Sequence, residues 1–168
     1  FVAAGRDHLR HVVYLGGILP DGDAGGPASE HLGSRAEVGR ILREGLPTTE
    51  FRAGPVIGSG SASFEMVRYL TERLPAMVAP RWILNDVQPV SMRDVLAYLL
   101  AALGREDSVG VVDIGTEPLT FKAMMEEYAA VRGLPRLIVP VPVLAPRLAA
   151  LWVGLVTPIP NSLAVPLV

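Results

Sequence analysis

Two residues whose side chains could do chemistry, His31 and Arg35, stand four positions apart in a segment that favours a helix. Residues at this spacing lie on one face of a helix, so both side chains would reach the same space. An imidazole, with an ordinary pKa of about 6.5, can act as a general acid or base at neutral pH. A guanidinium keeps its proton and instead holds a phosphate oxygen. The alternative is a solvated face near a helix start, with Glu30 as a charge partner.

A second group of candidate residues stands where extended segments end. Gly16 and Gly17 directly follow the apolar run 12–15. Arg52 lies near the end of another extended segment, before a glycine corner. Its guanidinium could contact a ligand there, and it could equally pair with a surface carboxylate.

Strand and helix patterns alternate along the chain and must position these residues. Strands are predicted at 12–15, 48–57, 87–90, 109–114 and 137–141. Helices are predicted at 29–44, 62–74, 92–103 and 121–132. Ser29, Ser91 and Thr120 are expected to be N-caps, with Asp94 completing a capping box at Ser91. This alternation favours an α/β fold, with a parallel sheet and helices on both of its faces.

Composition limits the classes of function. The 168 residues are enough for one domain with a sizeable core, and half of them are hydrophobic. The net charge is −2 without basic blocks, which argues against nucleic acid as a partner. Because there is no cysteine, disulfides, thiolate metal sites and cysteine nucleophiles are excluded. The histidines show no spacing typical of a metal site, so we expect no metal.

The two ends of the sequence differ from the rest. Residues 1–5 are too short and uncharged for a signal peptide and contain no methionine, so we interpret residues 1–168 as one truncated fragment of a longer, cytoplasmic protein. The tail, 140–168, is apolar and contains several prolines. A membrane-spanning helix needs about 20 apolar residues, so we favour a pocket-lining segment. Contact of residues 143–168 with a membrane surface, or dimerisation through them, is the alternative.

Four segments, in order and spacing, carry a resemblance to one protein family: 13–17, 29–38, 52–60 and 88–95. Together they resemble the carboxy-terminal portion of an atypical, extended short-chain dehydrogenase. The branch is that of the NAD(P)-dependent epimerase/dehydratases and NmrA-like proteins. The third segment is similar to Arg-x-x-x-Val-x-Gly-x-Gly, which in the family follows a strand near the nicotinamide. The resemblance therefore implies cofactor contacts for Arg52, Pro55, Val56 and Ile57.

The same resemblance implies which residues would be catalytic. The family's Tyr-x-x-x-Lys pair falls on His31 and Arg35, and its serine falls on Gly16 or Gly17. His31 would then be the acid or base, and Arg35 the anchor for the ribose or the substrate. Gly16 and Gly17 would lie against the cofactor. The usual serine, tyrosine and lysine are all replaced.

The implied fold is a partial Rossmann-like domain in residues 1–115, followed by a small, mostly helical substrate region with the apolar tail in 116–168. The implied function is that of an oxidoreductase or epimerase that uses NAD or NADP on a small-molecule substrate, with a homo-oligomer as an open question.

The glycine-rich dinucleotide fingerprint of Rossmann folds is missing from the sequence. Gly58-Ser59-Gly60 lacks its third glycine and downstream acid, so we interpret it as a tight turn. We therefore expect weak or absent cofactor binding by these 168 residues alone. Two alternatives remain: a non-catalytic NAD(P)-binding sensor or partner-binding module, and a membrane-associated subunit of the same fold.

Overall fold

The computed structural model describes residues 1–19, 30–105, 107 and 110–141, with only the backbone described at residues 30 and 31. The helices are α1 Val2–Gly5, α2 Glu30–Gly45, α3 Ala62–Arg73, α4 Met92–Ala102 and α5 Phe121–Val131, with a 3₁₀ turn at Arg81–Leu84. The strands are β1 Val12–Gly17, β2 Thr48–Ala53, β3 Val56–Ile57, β4 Ala76–Pro80, β5 Asp86–Val87, β6 Val90–Ser91, β7 Gly110–Ile114, β8 Leu119–Thr120 and β9 Leu137–Val141.

The chain forms two compact units, of which unit 1 comprises Phe1–Gly54 and Pro89–Thr116. Its sheet has the strand order β1-β2-β7, and both pairs are parallel, which confirms the predicted parallel sheet. The register pairs Gly16 with Arg52 and Arg52 with Asp113. Each of these is the last but one residue of its strand, so the carboxyl ends of the three strands meet at one edge.

Helices cover both faces of the sheet in unit 1, as predicted. Successive residues of a strand point to opposite faces. In β2, Glu50 points towards α2, where its carboxylate reaches the position of Gly39. The next residue, Phe51, points the other way and meets Tyr98 of α4, with ring centroids 5.8 Å apart.

Unit 2 comprises Pro55–Gln88 and, of the described residues, 117–141. Within it β4 pairs in parallel with β9, and β5 pairs antiparallel with β8. Its helices α3 and α5 pack together around an apolar core. The buried core residues are Met66, Val67, Leu70, Met77, Ala79, Ile83, Phe121, Met124, Met125 and Ile138.

The predicted N-caps Ser91 and Thr120 are confirmed, and the third, Ser29, lies outside the described residues. The Ser91 hydroxyl accepts a hydrogen bond from the Asp94 amide at 3.1 Å and donates one to the Asp94 carboxylate at 2.8 Å. The Thr120 hydroxyl accepts from the Ala123 amide at 3.0 Å. These bonds satisfy amide groups that have no partner within their own helix, and so they set where α4 and α5 begin.

Prolines account for the main differences from the predicted strands. The predicted strand 48–57 is divided into β2 and β3 at Gly54-Pro55, and 87–90 is divided into β5 and β6 at Gln88-Pro89. Proline has no amide hydrogen to donate to a neighbouring strand. The strand β4 was not predicted, because a five-residue segment that follows Pro75 and ends at Pro80 reads as a loop.

The functional division predicted at residue 115 stays a prediction. By contacts, residues 55–88 group with the residues after 116, whereas the sequence placed them in the first part. The reason is that this segment supplies β4, which pairs with β9, and α3, which packs on α5. The described part of 116–168 contains one helix and two strands, and residues 142–168 lie outside the described residues.

Candidate functional site

The carboxyl ends of the parallel strands in unit 1 form the candidate site. In open α/β sheets, ligands bind in the crevice outside these strand ends. Here neighbouring register positions on the α2 face hold a glycine, a cation and an anion, namely Gly16, Arg52 and Asp113. This edge therefore has polar groups next to a position without a side chain.

Arg35 reaches the site from α2. Its Nη2 donates a hydrogen bond to the main-chain oxygen of Leu15 at 3.2 Å, and the residue is half-buried. The Tyr14 hydroxyl donates to the main-chain oxygen of Arg35 at 3.1 Å. Arg35 is thus attached to the end of β1 rather than extended into solvent. A guanidinium carries five N–H groups, so one bond to a carbonyl leaves others for a ligand.

His31, the other predicted catalytic residue, lies in the first turn of α2, one helical turn before Arg35. The predicted helix is confirmed, and its geometry places residues four positions apart on the same face. The His31 side chain lies outside the described part of the structure, so its catalytic role stays a prediction.

Arg52 is paired with a carboxylate, as one of its two interpretations anticipated, but that carboxylate is buried. Its Nε donates to Oε1 of Glu50 at 3.1 Å. The Glu50 side chain is 1% exposed and that of Arg52 is 22% exposed. Arg43 of α2 forms a second ion pair with the other oxygen of Glu50. Glu50 therefore lies between two guanidinium groups.

Two glycines leave the space that the Glu50 side chain occupies. A Cβ at Gly39 would lie 2.6 Å from Glu50 Oε2, and a Cβ at Gly16 would lie 2.9 Å from Oε1. A Cβ at Gly17 would instead lie 3.0 Å from Cδ2 of Leu32. Close packing thus accounts for these glycines in unit 1. The predicted cofactor contacts of Gly16 and Gly17 stay predictions.

The remaining predicted cofactor residues, Pro55, Val56 and Ile57, belong to unit 2. Val56 and Ile57 form β3, and Ile57 packs against the apolar core of that unit. All three are half-buried. Their cofactor contacts also stay predictions.

Sequence reasoning missed Glu50, Arg43 and Gly39. One signal for Glu50 was present, since an acidic residue two positions before Arg52 in a strand lies on the same face. Arg43 and Gly39 are four residues apart and share a face of α2, but only the structure shows that this face meets Glu50.

The described ranges contain neither a cluster of metal-binding side chains nor a helix that could span a membrane. Among these residues, no group of three or more His, Cys, Asp or Glu side chains could hold a metal ion. In the same ranges, no helix has the length and apolar character needed to cross a membrane. The proposed membrane contact of residues 143–168 lies outside the described residues.

No protein-family model matches the chain, and no curated protein matches its sequence. Solved structures do match its fold. A dTDP-4-dehydrorhamnose reductase from Clostridium acetobutylicum superposes with a TM-score of 0.66 and 14% identity, over 83% of this chain and 53% of that one. A UDP-glucose 4-epimerase from Thermus thermophilus, solved with NAD, superposes with a TM-score of 0.62 and 20% identity. The match covers 83% of this chain and 54% of that one.

A dTDP-4-dehydrorhamnose reductase from Bacillus anthracis, solved with NADP, gives a TM-score of 0.60 and 14% identity, over 77% of this chain and 50% of that one. The chain shares the Rossmann-like fold of these enzymes. It spans about half the length of each of them. At this level of identity, the likeness concerns the fold alone.

Proposed function

We propose that the chain is the carboxy-terminal portion of an NAD(P)-dependent oxidoreductase or epimerase of the atypical short-chain dehydrogenase type. Its substrate would be a small carbonyl or sugar-like molecule. The observation that carries the proposal is the position of the Arg35 guanidinium at the carboxyl end of β1, within a Rossmann-like sheet. Two solved proteins of the same fold hold NAD or NADP.

The described residues fit one part of a dinucleotide site. Arg35 and Arg52 supply guanidinium groups at strand ends, and guanidinium groups suit phosphate and hydroxyl oxygens. The 168 residues contain no Gly-x-Gly-x-x-Gly fingerprint, so the glycine-rich turn of the pyrophosphate site would come from residues of a longer protein. When bound, the nicotinamide supplies or accepts the hydride.

In this proposal His31 moves the proton that accompanies the hydride. In the reductive direction its imidazolium donates the proton to the carbonyl oxygen, which becomes a hydroxyl group. In the oxidative direction the neutral ring takes the proton back. Arg35 keeps its own proton and holds an oxygen of the ribose or the substrate, while its bond to the Leu15 carbonyl orients it.

Titration of the full-length protein with NADH and NADPH tests cofactor binding, and turnover is then measured with nucleotide sugars. His31→Ala is expected to lower kcat about 10²- to 10⁴-fold with binding retained. Arg35→Ala is expected to weaken cofactor or substrate binding about tenfold, since it removes a charge-assisted hydrogen bond.

The matched control is Arg40→Ala, because Arg40 lies on the same helix but pairs with the exposed Glu37 and Glu44. Arg40→Ala should leave both kcat and the binding of cofactor and substrate unchanged. Turnover that is equal in the wild type and His31→Ala rejects the catalytic assignment, and absence of NADH and NADPH binding rejects the proposed function.

A second candidate is a non-catalytic NAD(P)-binding sensor or partner-binding module, as in NmrA-like relatives. The observation that favours it concerns Gly16, one of the two positions that match the family's serine. Glu50 occupies the space that a side chain at Gly16 would need. This candidate predicts cofactor binding without turnover of any nucleotide sugar. Homo-oligomerisation and a membrane-associated role through residues 143–168 stay predictions. Sedimentation of the full-length protein would test the first. Comparing vesicle binding of the full-length protein with that of a variant truncated after residue 142 would test the second.

A further inference from the structure

Glu50, Arg43 and Arg52 form a charged cluster in unit 1, and the proposed reaction assigns no role to Glu50 or Arg43. Arg52 Nε contacts one carboxylate oxygen of Glu50, and Arg43 contacts the other. With the Glu50 side chain 1% exposed, its carboxylate depends on these two guanidinium groups rather than on water. The position of each charged group is therefore coupled to that of the others.

Stability by itself does not explain this cluster. Replacing a buried ion pair by apolar residues of similar volume is often neutral or stabilising. The space for Glu50 also requires a glycine inside α2, at Gly39, where alanine would favour the helix. The arrangement is explained better by its effect on Arg52, which lies at the candidate site.

Only one edge of the Arg52 guanidinium is engaged. Its Nε is bonded to Glu50, and within the described ranges no partner is found for Nη1 or Nη2. Holding Nε fixes the plane of the guanidinium, so the terminal nitrogens form a pre-oriented fork, the geometry that binds phosphate or carboxylate oxygens. Asp113, exposed on the neighbouring strand, faces the same side and opposes an anion electrostatically.

We propose that Glu50 is a positioning residue that, with Arg43, holds Arg52 so that its terminal nitrogens bind a phosphate group of the ligand. The inference rests on the proposed function for the source of that phosphate, which is the dinucleotide or a nucleotide sugar. Positioning and simple electrostatics predict opposite signs, because removing the Glu50 charge would by electrostatics alone strengthen the binding of an anion.

The test uses NMR of the full-length protein, labelled so that the arginine Nε–Hε signals are observed. NADH, UDP-glucose and inorganic pyrophosphate are titrated separately. We expect at least one of them to shift the Arg52 Nε–Hε signal, and the one that does so identifies the source of the phosphate. Arg52→Gln should weaken binding of that probe about tenfold, as expected for a lost charge-assisted hydrogen bond.

Glu50→Gln is the decisive variant, since glutamine has nearly the same volume as glutamate. Positioning predicts that it weakens binding of the same probe about fivefold or more. A second variant, Gly39→Ala, places a Cβ 2.6 Å from Oε2 and displaces the carboxylate without removing its charge, so it should weaken binding similarly. Its matched control is Gly33→Ala in the same helix, where a Cβ meets nothing within 4 Å and binding should not change.

The outcomes separate the two proposals. Equal or tighter binding in Glu50→Gln, or an Arg52 signal that no probe shifts, overturns the positioning role even where NADH binds. Absence of NADH and NADPH binding overturns the proposed function, but a shift of the Arg52 signal by pyrophosphate or UDP-glucose, weakened by Glu50→Gln, would still support the positioning role.

Discussion

Both units bury apolar side chains, but of the described residues only those of unit 1 include a buried carboxylate. Unit 2 has an apolar core that includes Met66 and Met125, whose side chains are excluded from water. In unit 1 the middle strand buries a carboxylate, Glu50, together with Thr48 and Thr49. Burial of apolar side chains stabilises the fold in proportion to the area removed from water, and it does not depend on the direction of individual contacts. A buried carboxylate stabilises only while its partners remain in place.

The buried carboxylate and the packed methionines differ in how strictly they fix the geometry around them. Packed methionines adapt to their surroundings, because the side chain is flexible and has no directional bonds. The carboxylate of Glu50 has defined partners on β2 and α2, and it fixes their relative position. Unit 1 thus combines an apolar core with a carboxylate that fixes the position of charged neighbours, while the buried polar side chain described in unit 2 is the neutral Thr71.

The largest expected effect lies in the apolar core of unit 2. Met125→Ala should lower the free energy of unfolding by about 2 to 5 kcal/mol, through lost burial and the cavity that remains. Denaturant unfolding followed by circular dichroism measures it. Val131→Ala, at a side chain that is 86% exposed at the end of the same helix, should change stability little. Equal effects of the two substitutions would contradict an apolar core here.

Removal of the buried carboxylate of unit 1 is the corresponding experiment there. Glu50→Ala should destabilise by about 3 kcal/mol, because two guanidinium groups lose their partner while each keeps some access to water. Glu37→Ala, which breaks an exposed pair with Arg40, is the control and should have no measurable effect. If both variants unfold alike, the Glu50 cluster does not hold unit 1 together.

Helix capping provides a smaller test with a matched control. Ser91→Ala removes a hydroxyl that accepts from the Asp94 amide, and it should lower the free energy of unfolding by about 1 kcal/mol. Ser61 stands at the equivalent position of α3 but makes no side-chain capping bond, so Ser61→Ala should cost less. Amide hydrogen exchange in the first turns of α4 and α3 checks both, and equal loss of protection would contradict the capping role.

The smallest effect is a change with pH in unit 2. Burial and a hydrogen bond donated to Glu72 raise the pKa of Tyr128 above its ordinary value of 10.0. The folded state then holds the proton more tightly than the unfolded state. The stabilisation is complete below pH 10.0 and is lost as the pH rises through the raised pKa. Stability measured at increasing pH should therefore fall less steeply in Tyr128→Phe than in the wild type.

Tyr98→Phe keeps the ring that packs beside Phe51 and serves as the control. It should retain the pH dependence of the wild type. If Tyr128→Phe retains it as well, the hydrogen bond to Glu72 does not contribute to stability at high pH.

Local sequence patterns predicted much of the fold. The alternation of apolar runs with capped helical segments predicted the parallel sheet of unit 1, helices on both of its faces, and the N-caps Ser91 and Thr120. These features depend on residues close together in the chain. The breaks at Pro55 and Pro89 were visible too, but an apolar run does not show whether a proline divides a strand or only ends it.

For the candidate site, the sequence determined the residue types and their spacing: His31 and Arg35 on one helical face, and Arg52 two residues after Glu50 in a strand. The meeting of Gly39 and Arg43 with Glu50, and the burial of the carboxylate that pairs with Arg52, became visible only in the folded chain. A carboxylate can be buried only where other chain segments bring compensating charge and leave room for it, and no local pattern encodes that meeting.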